Sequence, residues 1–274
     1  MRIDLHLHTT ASDGQLSPSA LVRLAQSQRM DVIAVTDHDT TAGLPEAQQA
    51  ATNRLLIIPG IELSAEDAKL DVHILGYFIN TQDVAFQNRL THFREDRLRR
   101  GEKIVARLAE LGKPLAWERV LELAHGGAVG RPHVARAMIE AGYVESMEQA
   151  FGRYLHNRGP AYVARQRLTP EEAIALLHQA GGAAVLAHPG ILTDYAAMIE
   201  RLAPVGLDGV EVVHPLNPPQ VRDNLRALAL RHHLIVTGGS DFHRPDTENP
   251  IGSHMPPPTS AAALRDRAAR YAKD

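Results

Sequence analysis

Ile3-Asp4-Leu5-His6-Leu7-His8-Thr9-Thr10-Ala11-Ser12-Asp13-Gly14 is the stretch whose reading decides the fold. Apolar and polar residues alternate from Ile3 to His8, the period-two pattern of a β-strand. Residues two apart on a strand share a face, so Asp4, His6 and His8 project one way and Ile3, Leu5 and Leu7 the other. A single histidine in such a place is more often an ordinary polar residue on a half-buried strand. Two imidazoles side by side, with Asp13 just past the strand end, predict the first half of a metal site. Half a site needs distant partners, and the rest of the chain can be read for strands that end in histidine or carboxylate.

The chain has room for them. At 274 residues it is long for one compact domain and comfortable for an α/β barrel with an insertion. Its apolar and charged fractions, 44% and 22%, are those of an ordinary globular protein. Aromatic residues are scarce at 4%, which argues against a base-stacking surface for single strands. The net charge of -3 excludes a broad positive field, so a stable nucleic-acid complex is not expected. There is no cysteine, which removes disulfides, iron–sulfur clusters and thiolate zinc sites. No targeting segment and no stretch near the ~20 apolar residues of a membrane span is visible, so a cytoplasmic protein with no membrane partner is the expectation. Histidine is the unusual component: 15 residues, more than Phe, Tyr and Trp together.

After the first strand, Ser17-Pro18 opens a helix, with Ser17 as its cap and Leu21, Leu24 and Ala25 as its apolar stripe. Val32-Ile33-Ala34-Val35 reads as a buried parallel strand ending in Thr36-Asp37-His38-Asp39. A helix is expected over about 44–53, and a strand at Leu55-Leu56-Ile57-Ile58 ending in Pro59-Gly60-Ile61-Glu62. A further strand, roughly 72–78, carries His73. Polar residues thus collect at strand carboxyl ends, where active sites of parallel α/β folds lie. The rhythm then breaks. One long charged helix is predicted over 82–111, then shorter ones near 117–125, 132–141 and 146–155, with no strand before Ala183. Residues 100–166 therefore read as an all-helical insertion. Alternation resumes with Ala183-Ala184-Val185-Leu186-Ala187 into His188, Gly209-Val210-Glu211-Val212-Val213 into His214, and Leu234-Ile235-Val236-Thr237 toward Ser240-Asp241-Phe242-His243; a final helix covers 260–272.

Seven histidines, His6, His8, His38, His73, His188, His214 and His243, fall at or beside strand ends together with Asp13, Glu62, Glu211 and Asp241. Nitrogen and oxygen donors without sulfur suit Mn²⁺, Fe²⁺, Zn²⁺ or Mg²⁺, and the set is too large for one ion. Two or three ions sharing a bridging carboxylate fit better, the arrangement that activates water and clamps a phosphate ester.

Taken in order, Asp4-Leu5-His6-Leu7-His8-Thr9, Thr36-Asp37-His38, Gly60-Ile61-Glu62, Ala187-His188-Pro189 and Ser240-Asp241-Phe242-His243 resemble the motifs of the PHP (polymerase and histidinol phosphatase) family. The resemblance implies a distorted seven-stranded (β/α)7 barrel, α/β in class, with a trinuclear metal centre. The insertion, with Phe151-Gly152-Arg153-Tyr154-Leu155 and Gly159-Pro160-Ala161-Tyr162-Val163, resembles the stand-alone bacterial branch of 3′,5′-nucleotide bisphosphate phosphatases and 5′→3′ exoribonucleases. It implies a barrel of 1–99 and 167–274 and a helical insertion, 100–166, capping the active site. It also implies His6, His8, Glu62 and Asp241 on a first metal; Glu62, His73 and His188 on a second; and Asp13, His38 and His243 on a third. The cofactors expected are two or three divalent ions, Mn²⁺ first.

The implied reaction is removal of the 3′-phosphate of a 3′,5′-bisphosphonucleotide by a hydroxide bridging two metals. Asp241 would be catalytic, and His214 a candidate proton donor or substrate contact. Asp4 reads as support for a ligand, Asp37 and Asp39 as turn caps, and Glu211 as a possible second layer. Arg131 and His133, opening an insertion helix after Gly130, would grip the non-reacting phosphate. Asn217 would touch sugar or phosphate, and the arginines at 94–100 read as a solvated helix face. His92, His125, His156, His178, His232, His233 and His254 read as surface or core residues. Competing readings are a 5′→3′ exonuclease on short RNA, a histidinol-phosphate phosphatase, and a non-catalytic metal-stabilised scaffold or binding module.

Overall fold

The computed structural model describes residues 1–68, 70–124, 127–163 and 168–272. His125 and the expected boundary at 166/167 lie outside these described residues. The strands are β1 Ile3–Leu7, β2 Val32–Val35, β3 Leu56–Asp67, β4 Leu70–Tyr77, β5 Ala183–Leu186, β6 Gly209–Val213 and β7 Ile235–Gly238. They form one seven-stranded sheet in sequence order. It curls into a nearly closed barrel: the His8 amide donates to the Phe242 carbonyl (3.0 Å) and the Phe242 amide to that of His6 (3.4 Å), joining the β1 and β7 edges. Gly239 makes this closure sterically feasible, since a Cβ there would lie 2.3 Å from the His6 Cβ.

The barrel departs from strict β/α alternation in one place. β3 and β4 pair antiparallel, with no helix between them, and β4 also runs antiparallel to β5. The third strand, expected at Leu55-Leu56-Ile57-Ile58, runs on through Pro59 to Asp67 in the structure. Pro59 sits where the partner changes, Val35↔Pro59 against β2 giving way to Gly60↔Tyr77 against β4. His73 therefore lies within a strand of the reversed hairpin rather than at the end of a parallel strand.

Helices cover the outside: α1 Pro18–Ser27, α2 Leu44–Ala50, α7 Pro170–Gln179, α8 Tyr195–Leu202, α9 Pro219–Arg231 and α10 Ser260–Ala268. α7 was not read from the sequence, although Thr169 and Glu172 form a capping box at its start. The remaining helices are α3 Val84–Glu110, α4 Trp117–Leu123, α5 Arg131–Glu140 and α6 Met147–Ala150, the last continuing into a π-helical turn over Phe151–Leu155. Two apolar cores divide α3. Phe86 and Leu90 pack with α7, α8 and α9, whereas Ile104, Val105 and Leu108 pack with Val120, Val134, Met138 and Leu155 in a separate helical cluster. A stripe shared by two cores explains the length of α3: neither half could bury its face alone.

Candidate metal centre

β1 carries His6, and His8 follows at its carboxyl end; both are fully buried, as is Asp4. Pairing of β1 with β2 shifts register between Asp4 and Leu7, and pairing of β6 with β7 shifts between Glu211 and Val213. Such irregularities re-aim side chains near sites. Among the described residues Asp4 forms no ion pair with an imidazole. Its carboxylate accepts the amides of His6 (3.2 Å), Ser240 (3.0 Å) and Gly252 (2.8 Å), clamping the backbone on which the site is built. Burial pushes its pKa up to about 6. Asp37 holds the loop after β1, accepting the Thr9 amide, the Thr9 hydroxyl and the Ser12 hydroxyl, each at 2.7 Å. Asp39 accepts the Ser64 amide (2.8 Å) and Arg97 Nε (2.7 Å), which ties the β2 loop to β3 and α3. Asp39, His188 and Asp241 all have positive φ (52°, 27° and 52°). Non-glycine residues in this strained region concentrate at sites that the surrounding fold over-determines.

Glu62 is the hub. Its Oε1 lies 2.7 Å from His73 Nδ1 and 3.0 Å from His188 Nε2. Its Oε2 lies 3.1 Å from His38 Nδ1 and 3.3 Å from both His6 Nε2 and His8 Nε2. Asp241 Oδ1 closes this group, 3.4 Å from His6 Nε2 and 3.2 Å from His8 Nε2. Around Asp13, His243 Nε2 is at 3.3 Å, and His8 Nδ1 and His38 Nε2 are both at 3.8 Å.

The residues fit divalent ions. His6 Nε2, His8 Nδ1 and Nε2, His38 Nδ1, His188 Nδ1 and Glu62 Oε2 are buried without a hydrogen-bond partner. Ligands about 2.0–2.2 Å from a common centre stand about 3.0–3.5 Å from one another, the spacing seen around Glu62 and Asp241. Tautomers agree. His6 Nδ1 donates to Glu211 Oε1 (3.0 Å) and His243 Nδ1 to the Asp241 carbonyl (2.9 Å), so the Nε2 lone pair of each faces the centre. His214 is the reverse: its Nδ1 accepts the Leu216 amide (3.1 Å), which puts the proton of the neutral ring on Nε2, 3.4 Å from Asp241 Oδ2. Three donor groups able to hold an ion are His8/Asp13/His38/His243, His6/His8/Asp241 and His38/Glu62/His73. The first is the expected third set plus His8, and the last has His38 where His188 was expected. In a fourth group, His6/Glu211/His214, His6 Nδ1 is committed to Glu211, while His214 Nε2 lies 4.0 Å from Glu211 Oε2.

Electrostatics describe a cage that draws in positive charge. Burial would raise the carboxyls of Glu62, Asp241 and Asp13, but neighbouring imidazoles hold all three well below the usual range. Burial opposes a charged His8, yet hydrogen bonds to Asp241 and Glu62 lift it to about 10. Burial takes His38 down to about 3, only partly offset by Glu62 and Asp13.

A cavity of about 130 Å³ opens beside this cluster, lined by Asp13, His38 and His73 together with Ser64, Asp71, Arg97, Arg100, Arg131 and Phe151. Arg131 reaches it from α5, paired with Asp71 (2.8 Å) and donating to Asn157 Oδ1 (2.9 Å). Arg97 and Arg100 correct the solvated-face reading. They are nearly buried and occupy the apolar stripe Phe86, Leu90, Phe93, Gly101, Ile104, where the helical spacing could have exposed them as misplaced charges. His133 does not reach the cavity: it is buried, and its Nδ1 accepts the Gly130 amide (3.0 Å) at the start of α5. Asn217 is also buried, accepting from the Gly190 amide and donating to the Glu211 and Val212 carbonyls, so it braces the loops after β5 and β6. Arg136 on α5 donates to the Asp13 carbonyl (2.8 Å).

Comparison with known proteins places this geometry. The PHP domain model matches residues 4–162. A 5′-3′ exoribonuclease Rnm of Salmonella typhimurium is 42% identical over 88% of this chain and 85% of its own. A 3′,5′-nucleoside bisphosphate phosphatase of Chromobacterium violaceum is 35% identical over 89% and 87%. Among solved structures, a Bifidobacterium adolescentis protein provisionally described as a metal-dependent phosphoesterase superposes with a TM-score of 0.89, at 33% identity over 97% of this chain and 96% of its own. The chain belongs to the PHP-domain family of metal-dependent phosphoesterases.

Proposed function

We propose that this protein removes the 3′-phosphate of a 3′,5′-bisphosphonucleotide, with the helical segment 100–166 as its substrate cap. The observation that carries the reading is the shared lining of the cavity: Arg97, Arg100 and Arg131 line it together with His38 and His73. One phosphoryl group of the substrate lies at the histidine–carboxylate centre and the other against Arg97, Arg100 and Arg131, where forked guanidiniums match phosphate oxygens. Two or three divalent ions, Mn²⁺ first, would be held by His6, His8, Glu62 and Asp241, by Glu62, His73 and His188, and by Asp13, His38 and His243. When bound they supply Lewis-acid charge and an activated water. His214, holding its Nε2 proton toward Asp241, orients that carboxylate. The 35% identical bisphosphate phosphatase supports this substrate, and the exoribonuclease supports short RNA as the second reading.

Metal-loaded protein incubated with 3′,5′-bisphosphoadenosine, short 5′-phosphorylated RNA and histidinol phosphate should turn over the first fastest, read as phosphate release from the bisphosphate and histidinol phosphate and as mononucleotide release from the RNA. Arg131→Ala should raise KM about tenfold or more, as expected for loss of a charge-assisted phosphate contact. Asp241→Asn should abolish turnover, whereas a scaffold would lose only stability. No phosphate from the bisphosphate would overturn the proposal.

A further inference from the structure

Asp13 lies on the loop between β1 and α1, and that loop is held from two directions. From the barrel, Asp37 binds Thr9 and Ser12, and the Thr9 carbonyl accepts the Ser12 and Gly14 amides (3.1 and 3.0 Å). The Ala11 and Asp13 carbonyls are bonded from the helical segment instead. The Ala128 amide donates to Ala11 (3.0 Å) and the Arg136 guanidinium to Asp13 (2.8 Å). Gly127 comes so near that a Cβ there would lie 2.6 Å from the Thr10 carbonyl oxygen and 2.7 Å from that of Ala11. Val134, Ala135, Ala137 and Met138 pack α5 into its own apolar cluster, which fixes the backbone that carries the half-buried Arg136. The hydrogen bond of Arg136 goes to the peptide of Asp13, and the carboxylate of Asp13 meets His243, His38 and His8.

Of the donor groups able to hold an ion, one includes Asp13: His8/Asp13/His38/His243. A hydrogen bond on the peptide of a ligand fixes where its side chain starts, and supporting contacts of this kind are worth about 10–100-fold in affinity for the ion. Charge works the other way. A guanidinium near a divalent ion repels it, so an Arg136 acting through its charge alone would weaken binding, and its removal would tighten it. The sign of the change therefore separates the two roles.

We propose that Arg136 is a positioning residue for Asp13: through it the helical segment sets the affinity of one ion, that of the Asp13 group, and leaves the other ions to the barrel. This rests on the metal reading above. Equilibrium dialysis of Mn²⁺ against the full chain resolves the ions by affinity. In Arg136→Met one ion should bind about tenfold more weakly or worse, with the rest within about twofold of wild type. Gly127→Ala changes no charge and presses on the same loop, so it should weaken the same ion and tests the contact without touching Arg136. Asp13→Asn identifies that ion, and adding Arg136→Met to Asp13→Asn should change the remaining affinities by less than about twofold, because both changes act on one site. Tighter binding in Arg136→Met, an equal weakening of every ion, or affinities unchanged in both Arg136→Met and Gly127→Ala would each overturn the positioning role. A wild type that binds no more than one ion overturns the metal reading instead.

Discussion

At the scale of single residues, the direction of each ring proton separates the histidines. His6 and His243 have one nitrogen committed to an acceptor and turn a lone pair inward; His214 and His133 have one committed to a backbone amide. Four histidines alike in sequence thus differ in what they can bind. Glu211 shows the same dependence. It accepts His6 Nδ1 on one oxygen and the His188 amide on the other (2.8 Å). Glu211→Gln would set its amide donor against one of those donors in a buried place, a mismatch costing about 1–3 kcal/mol. Metal affinity should fall about 10–100-fold with the far-ultraviolet dichroism unchanged. Equilibrium dialysis checks this; an affinity within twofold of wild type would remove Glu211 from the site. The identity of the donors was legible in the sequence, because strand period and residue type determine it. His133 and Asn217, expected as substrate contacts, are buried against Gly130 and the loops after β5 and β6, partners that the path of the chain specifies and the sequence does not.

At the scale of elements, the β1–β7 seam is the sensitive place, since few backbone hydrogen bonds close the barrel there. An alanine at Gly239 would put its Cβ 2.3 Å from the His6 Cβ and 2.5 Å from the His6 amide nitrogen, so β1 must shift. Gly239→Ala should destabilise the protein by about 1–3 kcal/mol and also weaken metal binding, because His6 moves with the seam. Urea denaturation and a metal titration measure the two effects, and an unchanged midpoint would contradict the close approach. The other lesson at this scale is the β3–β4 hairpin. Apolar runs mark strands but carry no direction, so antiparallel β4 was not legible. Register then settles the consequence: Ser64 faces His73, and both line the arginine cavity.

At the scale of the whole molecule, the cage links metal, proton and stability. In metal-free protein His8 binds its proton more tightly when folded (about 10) than when unfolded (about 6.5), and His6, His188 and His243 are also raised. Their contribution is complete below about pH 6.5 and is lost as pH rises toward about 10. Bound ions reverse the trend, since ligands must be deprotonated to bind them. Chelator-treated protein should therefore lose thermal stability from pH 6.5 to pH 9, while the increase in Tm on adding Mn²⁺ should grow over the same interval. Differential scanning fluorimetry across that interval checks both, and a Mn²⁺ increment that shrinks with pH would refute the linkage. Among the described residues no helix is long and apolar enough to cross a membrane.

By itself the sequence determined the donor types and most of the strands that carry them, since alternation and residue chemistry are local properties, and its motifs in order resemble a family whose fold is a seven-stranded barrel. Only the tertiary structure decided which oxygen of Glu62 meets which imidazole, that β4 runs backward, and that Arg97 and Arg100 turn inward to the cavity. Those outcomes depend on contacts between residues far apart in the chain, and on a helix whose one face is shared by two cores.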